Sequence, residues 1–377
     1  MKKLCLLVLA LLLLSASAQA WDFDLEPYML RGRYIQEYAF LSGRDVVTLG
    51  WEDTNAMPPA HLTWWRDGEI HRDITLDAEN DMRYTLIPRA DGSCGVLKRQ
   101  ADGGRVPVPE GYSEWQTSRV VMYDWKMDGL QNERVIASGV SDLRAAQSGF
   151  GFGLIRLEGN SPFLSLYDDQ GRLEADLPLP DGVNSLVKFP TRGDDGLWGV
   201  TVNKRMQDDY LFLAVQNGRR LNPEEYNKLA YSAFADGQGG YFVTARLSDN
   251  QYAPETICRY IAAGKRLWKK QLSGKNVVIN AFPRIDPQTG HLILSGIASA
   301  NSRGVKRAFC LEADEKGKTL RLDVRDCPAG EEYAFSVYTD PANGQIHLLI
   351  RHYDDYFAAW VPFEDLSQGE NPGIKFK

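Results

Sequence analysis

Residues 239–272 read GGYFVTARLSDNQYAPETICRYIAAGKRLWKKQL. A glycine opens an alternating apolar run, a polar stretch interrupts it, and a second run ends at Gly264, after which a third begins. Alternation at period two is the pattern of half-buried strands, and glycine supplies the positive φ that tight hairpins require. The same arrangement recurs on both sides. "TGHLILSG" (289–296) pairs with "AFCLEADEKGKTLRL" (308–322), and "DGSCGVLKRQ" (91–100) with "VVMYDWKMDG" (120–129). Gly43, Gly95, Gly153, Gly196, Gly240, Gly290 and Gly344 each precede an alternating run; Gly68, Gly129, Gly171, Gly218, Gly264 and Gly317 each follow the next one. A strand-rich unit repeated at this spacing predicts an all-β fold, a single β-propeller of four-stranded blades.

The register places an inner strand pair at the first glycine of each unit and an outer pair at the second. It divides the chain into blades at about 35–76, 79–138, 139–180, 184–226, 228–274, 276–326 and 331–364. Seven is the expected count, with six or eight left open because the inner-glycine spacings run 52, 58, 43, 44, 50 and 54. The second unit is stretched by "ADGGRVPVPEGYSEWQ" (101–116), whose Pro and Gly content reads as a loop between its second and third strands. The seventh lacks a fourth strand, so either the N-terminal "DFDLEPYMLRG" or the C-terminal "GIKFK" is expected to close the ring and remove an exposed edge. No stretch of ten residues outside the N-terminus has helical periodicity, and "NPEEYNKLA" (222–230) is the nearest to a helical turn.

Residues 1–20, MKKLCLLVLALLLLSASAQA, carry two lysines, a short apolar run and a terminal Ala-Gln-Ala. This predicts a secretory signal peptide, an exported protein that is periplasmic or extracellular, and a single mature domain at 21–377. No later run approaches the roughly 20 apolar residues of a membrane span. Removing two lysines takes the formal charge from -7 to -9, and without a basic block the acidic chain is no candidate for nucleic acid. A monomer is expected. Cys94, Cys258, Cys310 and Cys327 could pair in an exported protein, but strand spacing separates Cys310, expected opposite Arg321, from Cys327 and favours buried thiols.

"ICRYIAAGKRLWKKQL" resembles the strand-turn-strand unit of the quinoprotein (PQQ-like) propeller superfamily, with Gly264 and Trp268 as the matching residues and Leu320 in the tryptophan's place one blade later. The resemblance implies the propeller architecture. That family's adjacent cysteines have no counterpart, so no quinone or other cofactor is expected. The WD40 pattern fits less well, because no Gly-His and Trp-Asp pair recurs at blade spacing.

Segments that resemble catalytic motifs fall at turn positions of the repeat. "TDPANG", with Asp340, resembles a nucleophile segment of propeller glycosidases, but "IDPQTG", with Asp286, stands 54 residues earlier at the same place in its blade, so both read as hairpin turns. Asp169 and Asp314 precede glycines as in sialidase Asp-boxes, without the full motif. His347 and His352, five apart on one strand, cannot share a metal ion, and no metal site is expected. Aromatic and acidic residues do fall in loops joining second to third strands: Tyr112 and Trp115, Asp208, Asp209 and Tyr210, Tyr252, and Tyr353, Asp354 and Tyr356. Rings beside carboxylates suit a sugar or peptide. The expected function is therefore non-catalytic binding of a protein, peptide or glycan on the loop face. The competing expectation is an extracytoplasmic carbohydrate-active hydrolase or lyase whose acids converge in the axial pocket.

Overall fold

The computed structural model describes residues 29–31, 34–42, 45–51, 60–66, 68–76, 83–106, 115–126, 129–146, 149–187, 189–204, 210–222, 226–227, 232–246, 254–261, 263–274, 278–286, 289–299, 306–327, 333–339, 344–352 and 357–377. Apart from a 3-10 turn at Phe363–Asp365, every regular element among them is a β-strand.

After β1 (Met29–Arg31), the strands β2 (Tyr34–Ser42), β3 (Asp45–Trp51), β4 (His61–Arg66) and β5 (Glu69–Thr75) form an antiparallel sheet. A continuous seven-stranded sheet follows, made of β6 (Arg83–Pro88), β7 (Cys94–Val106), β8 (Trp115–Lys126), β9 (Gly129–Ala145), β10 (Phe152–Glu158), β11 (Ser161–Tyr167) and β12 (Leu173–Pro178). The next sheet has a divided inner strand, β13 (Val183–Leu186) and β14 (Thr191–Arg192), then β15 (Trp198–Lys204), β16 (Tyr210–Gln216) and a divided outer strand, β17 (Arg219–Arg220) and β18 (Tyr226–Asn227). The segment nearest to a helical pattern therefore contributes β18. The remaining sheets comprise β19 (Ser232–Ala235), β20 (Gly240–Arg246), β21 (Glu255–Ile261) and β22 (Arg266–Ser273); β23 (Val278–Ile285), β24 (Leu292–Ser299), β25 (Lys306–Ala313) and β26 (Thr319–Asp326); and β27 (Tyr333–Thr339), β28 (Ile346–His352) and β29 (Phe357–Pro362). A last short strand, β30 (Lys375–Phe376), joins the outer edge of β22.

The seven-stranded sheet is two meanders sharing β9. Its first half pairs with β8, from Gly129 opposite Lys126 to Val140 opposite Ser118; its second half pairs with β10, ending at Ala145 opposite Phe152. At the handover Gly139 has φ +70°, and a Cβ there would stand 2.7 Å from the Leu157 carbonyl oxygen, so the crossing requires glycine.

Successive sheets pack face to face, which is why their middle strands are apolar on both sides. Alternate residues of β16 show it. Leu211, Leu213 and Val215 are buried against Ile155, Leu164 and Leu166 of the preceding sheet, whereas Phe212 and Ala214 cluster with Ala235 and Tyr241 of the following one. Among the described residues, apolar clusters fill every seam from the first sheet onward, and the series returns to its start where Leu349 and Trp360 meet Ile35, Val46 and Trp65. The outer strand β5, by contrast, has exposed Glu69, Ile70, His71 and Arg72. This closed succession of antiparallel sheets is an all-β propeller.

The first and last described strands both lie on the ring. β1 is the fourth strand of the last sheet, with Met29 opposite Ala359 and Arg31 opposite Phe357, so the closing strand comes from the N-terminal side. The C-terminal tail follows the rim instead. The Asp326 N–H donates to Ser367 O, the Gly369 N–H donates to Val324 O, and β30 then sets Phe376 opposite Leu272. Ile374 and Phe376 belong to the core between the β19–β22 and β23–β26 sheets, and the Phe376 ring meets Trp268 edge-on at 6.1 Å. This segment therefore covers the outer edges of two sheets that would otherwise expose unpaired backbone.

Several details differ from the sequence expectation. Gly95, Gly153 and Gly240 lie within strands, and the positive-φ turn glycines are Gly92, Gly151 and Gly239. A Cβ at Gly95 would stand 2.7 Å from Met122 Cε and would push that flexible side chain aside. Leu320 does not take the place of Trp268: Trp268 faces Arg259 and Arg321 faces Glu312, while Leu267 and Leu320 are the bulged residues skipped by each ladder. Cys310 faces Asp323, two residues beyond the expected Arg321, and all four cysteines are free thiols.

The repeat also carries an ion pair in both polarities. Arg89, at the inner turn before β7, bonds Asp124 on β8. Asp236, at the equivalent turn before β20, accepts two bonds at 3.1 and 3.0 Å from Arg259 on β21. In each case the third-strand partner faces the residue six positions after the turn residue, Gly95 for Asp124 and Phe242 for Arg259. Asp236 and Arg259 are 4% and 8% exposed, so each charge relies on the other. Asp236→Ala should cost about 3–5 kcal/mol in urea unfolding, the range for stranding one member of a buried pair. Phe376→Ala should cost about 3 kcal/mol in the same assay, through loss of a buried aromatic side chain.

Candidate ligand-binding face

Each inner strand begins at the end where the blade-to-blade connections arrive, and second-to-third strand loops share that end. The face is therefore shaped by how far each second and third strand extends. Most run seven or eight residues, but β7 has 13 and β8 has 12. β6 ends its pairing at Arg83 opposite Arg99, after which β7 continues against β8 alone, through Ala101 opposite Ser118 to Val106 opposite Trp115. A bulge at Asp102–Gly104 takes up part of the seven further residues, and the five steps of β8 from Val120 to Trp115, at ~3.3 Å each, extend this hairpin about 17 Å beyond β6. Half of the expected loop at 101–116 is thus strand, because Val106 and Thr117, 2% and 3% exposed, are buried in it.

Asp102 braces the extension. Its Oδ1 accepts from Thr117 Oγ1 at 2.5 Å and the Gly104 N–H at 3.1 Å, and its Oδ2 accepts from the Gly139 N–H at 2.7 Å. Partial desolvation acts to raise the Asp102 pKa, but these donors outweigh it and hold the carboxyl below its ordinary value. One carboxylate thus ties both arms of the hairpin to the point where β9 passes between blades.

Inner-strand acids clasp the next blade. Glu37 Oε2 accepts the Leu86 N–H at 2.8 Å, and Asp142 Oδ2 accepts the Leu186 N–H at 2.8 Å. Thr191 Oγ1 does likewise for the Ala235 N–H at 2.8 Å. Burial drives the Glu37 carboxyl up to about 7, with the Leu86 N–H and Thr85 hydroxyl opposing it. Burial also raises the neighbouring Tyr38 phenol to about 12, opposed by Arg351. A bulge between Ile35 and Glu37 resets the alternation, so Glu37 turns to the following blade while Tyr38 meets Trp360 of the preceding one.

Of the sequence-selected binding residues, Trp115 and Tyr210 begin third strands, opposite Val106 and Asn203 respectively. Tyr112, Asp208, Asp209, Tyr252, Tyr353, Asp354 and Tyr356 lie outside the described residues. Asp340 does too, but Gly290 and Gly344 have matching φ values of +71° and +74°, and the Gly290 N–H closes on Asp286 O as a turn. Asp168, not Asp169, is the counterpart of Asp314: each accepts two backbone N–H groups in its own turn. His347 and His352 stand on β28 opposite Tyr338 and Tyr333. No group of three potential metal ligands occurs among the described residues. Sequence reading missed Asp102, Glu37 and Asp142, whose partners are distant in the chain.

No family model matches this chain, and no curated protein matches it. Among solved structures it is similar to prolyl oligopeptidase B from Galerina marginata, at 9% identity and TM-score 0.48, covering 92% of this chain and 51% of that one. The chain thus spans about half of that peptidase. Dipeptidyl peptidase 4 of Porphyromonas gingivalis gives 11% identity and TM-score 0.42, covering 85% and 51%. TolB from Acinetobacter baumannii gives 12% and 0.33, covering 85% and 79%.

Glu37 predicts a pH dependence. With its folded pKa raised from 4.5 to about 7, its favourable contribution is complete below pH 4.5 and is lost as pH rises through 7. Glu37→Gln should flatten the stability profile over that window by about 3 kcal/mol, as read from urea midpoints at successive pH values.

Proposed function

We propose that this chain is an exported, non-catalytic propeller of seven blades that binds a protein, peptide or glycan through its loop face. The observation that carries the binding reading is the braced β7–β8 hairpin, which extends beyond its inner strand on the side where Trp115 begins β8. A projection braced by Asp102 has no role in closing the ring, and it offers an edge to a partner. Seven apolar seams support the blade count, the shared β9 giving two blades to one sheet. The non-catalytic reading draws on Glu37 and Asp142, whose carboxylates are occupied by backbone N–H groups of the neighbouring blade. The short apolar run and Ala-Gln-Ala of residues 1–20 support the export part of this reading, with a periplasmic or extracellular destination.

Glycan and peptide arrays probed with the purified chain, run beside a glycoside and peptide hydrolysis screen, test this reading. Saturable binding that falls at least tenfold in Tyr112→Ala and Trp115→Ala, without turnover, is the expected result. Turnover abolished by replacing one acidic residue would replace binding with catalysis, and array binding indifferent to both substitutions would remove the hairpin from the site.

A further inference from the structure

Arg83 and Arg99 stand directly opposite each other on β6 and β7. Such partners project to the same side of a sheet with Cβ atoms about 5 Å apart, and like charges placed there repel. Among the described residues neither side chain forms a hydrogen bond or ion pair, and Arg99 Nε is buried without an acceptor. Arg192 takes Glu174 through two hydrogen bonds and Arg259 takes Asp236, whereas Arg220, Arg284 and Arg351 share with Arg99 a buried Nε that has no acceptor. Asp142 is the acid whose field reaches Arg99, but its Oδ2 and Oδ1 already accept the Leu186 and Leu143 N–H groups. Burial accordingly pushes the Arg99 guanidinium below its ordinary pKa, with Asp142 opposing.

We infer that Arg83 and Arg99 form a binding site for a carboxylate group beside the base of the β7–β8 hairpin. The guanidinium fork matches a planar carboxylate through two parallel hydrogen bonds. Val120, opposite Arg99 on β8, is fully buried, and an apolar wall disfavours a phosphate dianion because removing its hydration costs more. The inference rests on the loop-face reading and narrows its ligand to one bearing a carboxylate, either free in solution or carried on an acidic peptide.

The test is titration calorimetry of the full chain with succinate and, separately, hexaglutamate, using hexaglutamine and sodium chloride of matched ionic strength as controls. Saturable binding of succinate identifies a site for free acids; binding of hexaglutamate alone identifies a peptide-borne carboxylate. Affinity should fall at least tenfold in Arg99→Gln and in the exposed-site variant Arg83→Gln. Arg99→Lys should fall between, since it keeps the charge but loses the fork. Circular dichroism checks folding, and Arg83→Gln leaves the buried wall intact. Absence of saturable heat with either acid, or equal affinity in wild type and Arg99→Gln, would overturn the inference. An Arg99→Gln gain in melting temperature that is the same with and without acid would reduce Arg99 to an unpaired charge and overturn it too. Because these probes do not depend on the array ligand, failure here is separable from failure of the loop-face reading.

Discussion

One face of each sheet is buried by the sheet before it and the other by the sheet after it, so no blade here has a core of its own. The contact is hydrophobic and repeated, and it is worth something only if the series returns to its beginning. Leu349 and Trp360 meeting Ile35 and Trp65 make that return, and β1 secures it through backbone pairing with β29. Closure in turn aligns the inner strands around one axis. It also places their first residues, and the second-to-third strand ends, on a single face.

The polar groups follow from that constraint. Inner strands have one edge without a neighbouring strand, and Glu37, Asp142 and Thr191 supply acceptors for N–H groups there from the adjacent blade. Blade seams are thereby held by directional bonds as well as by apolar area, and Glu37 bears the cost of desolvation. The Arg89–Asp124 and Arg259–Asp236 pairs show the same site filled with opposite polarity in two units. Packing and pairing demand complementary charge at that position, and either order satisfies it.

The β7–β8 hairpin departs from the repeat because it is freed from β6 after Arg83. A free hairpin of that length would splay, since only two strands share its ladder. Asp102 counters this by bonding Thr117 across the hairpin and Gly139 at its foot. Arg83 and Arg99 sit at the same level, where the inner strand ends.

The alternation and recurring glycines by themselves determined strand content and the propeller, because period-two burial and hairpin turns are local properties. They also determined that Asp286 and Asp314 are turn residues. The closing terminus was undetermined, since "DFDLEPYMLRG" and "GIKFK" are both plausible edge strands; tertiary structure decided it by taking β1 into the last sheet and β30 to β22. Gly95 against Gly92, Leu320 against Trp268, and the strand hidden in 101–106 were likewise beyond sequence reading, because bulges and shared strands shift register by single residues without changing composition. Asp102, Glu37, Asp142 and the Arg83–Arg99 pair acquire chemical meaning only from groups tens of residues away in the chain. Their protonation and partnering are set by burial and proximity, which the ring creates when it closes.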